Sequence, residues 1–224
     1  MQRVVAFFGG FGGGKTELAI NYALRLAADG TAVILADLDF VTPFFRSREV
    51  GRGLDGSGVR LLTPGKALVH ADLPVLTPEV AAAIGDQGQR VVLDVGGDDA
   101  GARVLGVLQP ILAARPHDAL FVVNPYRPFT RDVPAIIAML RAVETAARLR
   151  ATGFVSNPHM CSLTTERDIV EGHRVVAAAA GAAGLPVVLL GILDGLVGAG
   201  AAAAACGVPV LPLLRFMKAP WERR

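Results

Sequence analysis

Val4-Val5-Ala6-Phe7-Phe8-Gly9-Gly10-Phe11-Gly12-Gly13-Gly14-Lys15-Thr16-Glu17 is the stretch that decides how the rest of the chain is read. The apolar run predicts a buried strand, the glycines a loop, and the residues from Lys15 onward the first turn of a helix. Gly9, Gly14, Lys15 and Thr16 fit the pattern G-x-x-x-x-G-K-[ST]. Glycines let a backbone curl until several N–H groups point at one anion. The helix start adds its own N–H groups and the positive end of its dipole. A phosphate chain is what such a cradle suits. Its candidate contacts are Gly10, Phe11, Gly12, Gly13, Gly14, Lys15, Thr16 and Glu17. Lys15 is expected at the outer phosphates and the Thr16 hydroxyl on Mg²⁺.

Working outward, 224 residues fit one α/β domain spanning 1–224. With 52% hydrophobic and 19% charged residues, the chain can bury a large core and is not a disordered one. A net charge of +2 lacks the concentrated basic face that nucleic acid requires. Cys161 and Cys206 stand far apart without a C-x-x-C, which argues for reduced thiols and against a thiolate metal site. His70, His117, His159 and His173 show no ligand spacing. The chain enters a strand at once, which leaves no room for a signal peptide and predicts a cytoplasmic protein. Residues 175–214 carry one formal charge, Asp194, but glycines and Pro186 interrupt the run. A helix, strand, helix, strand succession within a core is expected there, and no membrane insertion.

The remaining elements alternate. A helix is expected over 15–28 and a buried strand from Val33, ending at Asp37-Leu38-Asp39. Residues 50–76 read as an irregular excursion with a short strand at 59–62, followed by a helix that starts at Thr77-Pro78. Arg90 to Val95 is a further strand carrying Asp94 at its tip, with a helix over 102–114 behind it. Ala119-Leu120-Phe121-Val122-Val123 and Thr152-Gly153-Phe154-Val155-Ser156 both lead into Asn-Pro, at Asn124-Pro125 and Asn157-Pro158. Helices follow over 134–148, with Thr130 a candidate cap, and from Glu166, capped by Thr164 or Thr165. Strand and helix in alternation predict a three-layer, doubly wound, mostly parallel sheet.

In such sheets ligands sit at the carboxyl ends of the strands. Lys15, Asp37, Asp39 and Asp94 are all expected there. Hydrolysis of a nucleoside triphosphate needs this set, because γ-phosphoryl charge must be offset and a water must be placed in line. Asp94 suits a Mg²⁺ ligand. Asp94-Val95-Gly96-Gly97 also reads D-x-x-G, in which the Gly97 N–H would meet the γ-phosphate.

With these residues in place, the chain resembles the MinD, ParA, CobQ/CobB and nitrogenase-iron-protein group, the SIMIBI class of P-loop NTPases, from Val4 to about Leu214. The resemblance implies that Asp39 orients the attacking water and that Asp37 lies nearer the metal, with Thr16 and Asp94. It implies that Asn157, with Pro158, reads an adenine edge. No N/T-K-x-D motif follows either Asn-Pro strand, which favours ATP over GTP. The group's second lysine, early in the loop and acting across a nucleotide-sandwich dimer, is Gly10 here. Arg46 and Arg48 are either substitutes acting in trans or solvated loop residues. Phe40, Phe44 and Phe45 either dock a protein partner or fold onto the sheet. The tail from Arg215 to Arg224 contains Pro220 and is too short for a stable interfacial helix. It is expected to pack, or to close over the base.

The expectation is therefore a Mg²⁺-dependent ATPase acting as a switch, with an unidentified protein partner and a nucleotide-dependent homodimer as open possibilities. The alternatives are an ATP-dependent ligase resembling CobQ/CobB or dethiobiotin synthetase, a non-hydrolysing adaptor and a GTPase.

Overall fold

The computed structural model describes residues 1–39, 54–63, 78–97 and 99–217. Thr77, the phenylalanines and arginines of 40–48, and the end of the tail lie outside them.

The strands are β1 (Val4–Phe8), β2 (Val33–Leu38), β3 (Val59–Leu62), β4 (Arg90–Val95), β5 (His117–Val123), β6 (Gly153–Ser156), β7 (Val187–Leu193) and β8 (Val210–Leu213). They form one 8-stranded sheet in the order β3-β2-β4-β1-β5-β6-β7-β8, with every pairing parallel. The helices are α1 (Lys15–Ala28), α2 (Pro78–Gly85), α3 (Asp99–Ala113), α4 (Val133–Ala147), α5 (Glu166–Ala183) and α6 (Ala199–Cys206). From β1 the chain moves to one side for β2 and β3, returns through β4, then builds β5 to β8 on the other side. β1 therefore stands beside the reversal of strand order, where the strand ends splay and leave a crevice.

Both faces of the central strands are apolar, as a buried parallel sheet requires. Val4, Ala6 and Phe8 pack toward α3, α4 and α5, while Val5 and Phe7 pack toward α1. Phe8, Phe121 and Phe154 run across β1, β5 and β6 as an edge-to-face series with centroids 5.7 and 5.5 Å apart. This geometry suits the ring quadrupoles. It also ties β1, β5 and β6 together on one face of the sheet.

Most element boundaries fall within a few residues of expectation, including the short strand at 59–62 and the helix–strand–helix–strand run after residue 175. α3 begins at Asp99, three residues before its expected start. Thr130 does not cap α4. Asp132 does, accepting from the Ala135 N–H at 2.9 Å, and the buried Thr130 hydroxyl donates to the Asn124 carbonyl at 2.6 Å. Asp is the stronger acceptor at a helix start and lies directly before the first helical residue. Thr165 caps α5 through a capping box with Asp168. Among the described residues, no helix is long and apolar enough to cross a membrane.

Candidate functional site

The loop between β1 and α1 has the curled backbone its glycines permit. Gly9, Gly12 and Gly14 have φ of 139°, 75° and 90°, all in the region that side chains disfavour. Gly14 is itself the cap of α1 and brings no side-chain cap hydrogen bond. The Gly13 N–H donates to the Gly10 carbonyl at 3.4 Å, closing the curl. Lys15 folds back over it, donating from Nζ to the Gly10 carbonyl at 2.9 Å.

The acids converge on this loop. Phe7, one residue before the end of β1, is in register with Asp94 on β4, and Asp94 is in register with Asp37 on β2. Lys15, Asp37, Asp39 and Asp94 are 7%, 8%, 6% and 4% exposed, so the loop's lysine and three carboxylates are all withdrawn from bulk water. Burying charge at this density is costly unless the groups serve one another or a ligand. Asp37 also shapes the turn after β2 by accepting from the Asp39 N–H at 3.0 Å.

A cavity of about 200 Å³ opens against the loop and is lined by Lys15, Thr16, Glu17, Asp39, Gly97 and Arg127, with Met217 at its rim. Gly97 lies hard against the loop. A Cβ there would stand 2.7 Å from Lys15 Nζ and 2.8 Å from Phe11 Cα. The D-x-x-G segment is thus in contact with the cradle. Asp37 and Asp94 sit on the adjoining strand ends and do not form part of the cavity wall.

A second hollow of about 140 Å³ adjoins the first and shares Gly12, Gly14, Glu17, Arg127 and Met217 with it. Asn157, His159, Cys161 and Arg215 form its far side. Asn157 has a task that its resemblance did not imply. Its Nδ2 donates to the Gly13 carbonyl at 2.7 Å, and its Oδ1 is buried without a partner. A side chain at Gly14 would run into this amide. Pro158 and Pro125 both pack on Gly172 of α5, where a Cβ would approach them to 2.6 and 3.0 Å. The two Asn-Pro turns are therefore stacked on one helix. They are also tied to each other, because Asn124 Nδ2 donates to the His159 carbonyl at 2.8 Å. Burial, followed by the Arg215 and Arg127 charges, lowers the pKa of His159 and favours the neutral ring. Its Nδ1 accepts from the Cys161 N–H at 3.1 Å.

Three features escaped sequence reasoning. Glu17, expected only at the nucleotide, accepts from the Phe216 N–H at 3.0 Å and the Met217 N–H at 2.7 Å. One turn later Asn21 exchanges hydrogen bonds with Leu214, donating to its carbonyl at 2.9 Å and accepting from its N–H at 2.8 Å. Glu17 and Asn21 are four residues apart, so they share a helix face and clasp one strap. The signal was a polar i, i+4 pair on the first helix. The tail expectation is met as far as Met217, since the strap packs on α1 and reaches the cavity rim. The third feature is Arg127, whose Nε donates to the Gly12 carbonyl at 3.0 Å.

A magnesium ion takes oxygen ligands, keeps several waters and uses one or two carboxylates alongside substrate phosphates. Thr16, Asp37 and Asp94 offer a hydroxyl and two carboxylates. Among the described residues, no group of three His, Cys, Asp or Glu could hold an ion. The donor set fits a metal shared with phosphate oxygens.

Another hollow, about 710 Å³, lies between the second half of α1 and the starts of the strands. Three of its charged groups are tied to backbone. Arg25 donates to the Val210 carbonyl, Arg90 to those of Met1 and Gln2, and Asp118 accepts from the Gln2 N–H.

No family model and no curated protein matches the sequence. Solved structures do match. The cell division protein FtsY of Thermotoga maritima superposes with a TM-score of 0.62 at 20% identity, covering 84% of this chain and 61% of its own. Chloroplast FtsY of Physcomitrella patens gives 0.62 at 19%, covering 91% and 64%. The septum site-determining protein MinD of Pyrococcus horikoshii, solved with Mg-ADP, gives 0.55 at 20%, covering 85% and 81%. The chain thus spans about three-fifths of the FtsY chains it matches. The chain shares the fold of these FtsY and MinD structures.

Proposed function

We propose that this chain is a Mg²⁺-dependent nucleoside triphosphate hydrolase that uses ATP and works as a MinD/ParA-like switch. The observation that carries this reading is the joining of Lys15, Thr16, Asp39 and Gly97 around one cavity, with Asp37 and Asp94 paired on the adjoining strand ends. Thr16, Asp37 and Asp94 would hold Mg²⁺, which would supply charge neutralisation at the phosphates. Lys15 leaves the Gly10 carbonyl for the outer phosphate oxygens. The Asp39 carboxylate accepts a hydrogen bond from the attacking water and holds it in line. The Gly97 N–H meets the γ-phosphate and transmits its loss to the segment behind it.

Adenine is favoured by the missing guanine motif, and the hollow beside Asn157 and Pro158 is where the base is expected. The SIMIBI-like fold and a Mg-ADP complex of one structural neighbour support the same reading. Cytoplasmic location, a protein partner recognised through the switch segments and a nucleotide-dependent homodimer belong to the same proposal. The test is phosphate release by the purified chain from ATP and from GTP, with and without Mg²⁺. Release from ATP that needs Mg²⁺ and vanishes in Lys15→Ala is the expected result. A folded Lys15→Ala variant with wild-type turnover overturns it.

A further inference from the structure

The turn after β5 carries a cation, Arg127, to the wall shared by the two hollows at the glycine loop. It is tightly wound on Asn124. The Asn124 carbonyl accepts from the Arg127 N–H at 3.2 Å and from Thr130 Oγ1 at 2.6 Å. The Asn124 side-chain oxygen accepts from the Tyr126 N–H at 3.1 Å. The Tyr126 hydroxyl anchors the turn to α5 by donating to the Asp168 carbonyl at 2.6 Å. The backbone at Arg127 is therefore fixed, while its side chain is exposed. A guanidinium has five N–H donors in a rigid fork. Arg127 spends Nε on the Gly12 carbonyl, and a Cβ at Gly12 would stand 3.2 Å from that nitrogen. Lys15 and Arg127 thus rest on loop carbonyls two residues apart, one cation buried and the other exposed.

Among the described residues lining this cavity, Lys15 and Arg127 are the two cations, facing the carboxylates of Glu17 and Asp39. Charge moves during the reaction. The water oxygen forms its bond to the γ-phosphorus, and the bond from that phosphorus to the bridging oxygen breaks. Its electron pair stays on the diphosphate, and the water's proton leaves to solvent. A donor that meets the growing charge on the bridging and γ-phosphoryl oxygens lowers the barrier, whereas one that binds substrate equally well does not.

We propose that Arg127 is a catalytic residue, an arginine supplied by the same chain that turns its terminal N–H groups onto those oxygens as the bond breaks. This rests on the hydrolase reading above. The Gly12 bond is the resting position of the side chain, which already lines the cavity.

The test compares wild type, Arg127→Gln, Arg127→Lys and Lys15→Ala. Each is checked for folding by thermal melting, then assayed for turnover and for nucleotide affinity by calorimetry. Arg127→Gln is expected to lower kcat about 10²- to 10³-fold. Its affinity for a non-hydrolysable triphosphate analogue should stay within about threefold of wild type, as for an interaction made at the transition state. Affinity for the diphosphate–aluminium fluoride complex, which mimics the transferring phosphoryl group, should fall in step with kcat. Arg127→Lys should recover part of both losses. Wild-type kcat in Arg127→Gln overturns the proposal. So does a loss of analogue affinity as large as the loss of kcat, since that is the mark of a residue that merely braces the loop. If wild type does not turn over, or Lys15→Ala does, the hydrolase reading falls and takes this one with it. An active wild type, a dead Lys15→Ala and an unaffected Arg127→Gln overturn the Arg127 proposal alone.

Discussion

Asp37 and Asp94 are register partners on neighbouring parallel strands, so their side chains leave the same face of the sheet one strand spacing apart. That spacing is about 4.8 Å. Two buried carboxylates at this distance repel each other unless a cation serves both. Asp94→Asn and Asp37→Asn should each leave the nucleotide-free protein folded when melted without Mg²⁺. Both should lose the rise that Mg²⁺ and nucleotide give wild type, and turnover should drop about 10²-fold or more. Melting curves with and without Mg²⁺ check this. A variant that keeps the full Mg²⁺-dependent rise shows that the pair is not the metal's.

Gly97 touches the loop so closely that no side chain fits. The nearest neighbours of a Cβ there include the Phe11 backbone, with Cα at 2.8 Å and N at 3.0 Å, which cannot yield as a flexible side-chain end can. Gly97→Ala should leave the core intact and displace the cradle. Nucleotide affinity is expected to fall at least about tenfold, with little change in chemical denaturation, as for a strained contact confined to the site. Calorimetry against urea unfolding separates the two. Unaltered nucleotide affinity would falsify the contact's importance.

The parts of this molecule that could be read from sequence are those governed by local chemistry. The glycine loop, the apolar runs and the acids after β2 and within β4 each announce themselves within a few residues. What could not be read depends on contacts between distant segments. Nothing near Arg127 shows that it reaches Gly12, and nothing near Glu17 shows that it holds residues 216 and 217. The same holds for Asn157, whose partner at Gly13 is 144 positions away. Its motif suggested what it would face in a ligand. Its fold shows what it grips in the protein. Thr130 failed as a cap for a related reason, because a better-placed Asp132 competed for the same helix start.

The Asn157 amide and the Lys15 ammonium each hold a carbonyl of the loop, at Gly13 and Gly10. Asn157→Ala removes the Nδ2–Gly13 bond and leaves space under Gly14. Losing one such buried hydrogen bond costs about 1–3 kcal/mol. The loosened cradle should weaken ATP and GTP by similar factors. A variant that loses ATP affinity while GTP affinity holds would show that reading adenine, not bracing, is the main task of this side chain. Parallel titrations with both nucleotides decide.

Glu17 makes the strap sensitive to pH in a direction that can be worked out. Burial raises its pKa above 4.5, outweighing the Met217 and Phe216 N–H bonds and the Arg215 charge, which lower it. The folded state therefore holds the proton more tightly than the unfolded state. This contribution to stability is complete below pH 4.5 and is lost as pH rises through the folded pKa. Glu17→Gln keeps an oxygen for both N–H groups and removes the titration. It should melt like wild type at pH 4 and above it at pH 7. Glu17→Ala leaves the two N–H groups without their acceptor and should be destabilised at every pH, by about 1–3 kcal/mol. Amide exchange at Phe216 and Met217 should accelerate in the alanine variant and not in the glutamine variant. Should the glutamine variant track wild type across the whole pH range, the buried carboxylate is not the group that couples the strap to the loop's helix.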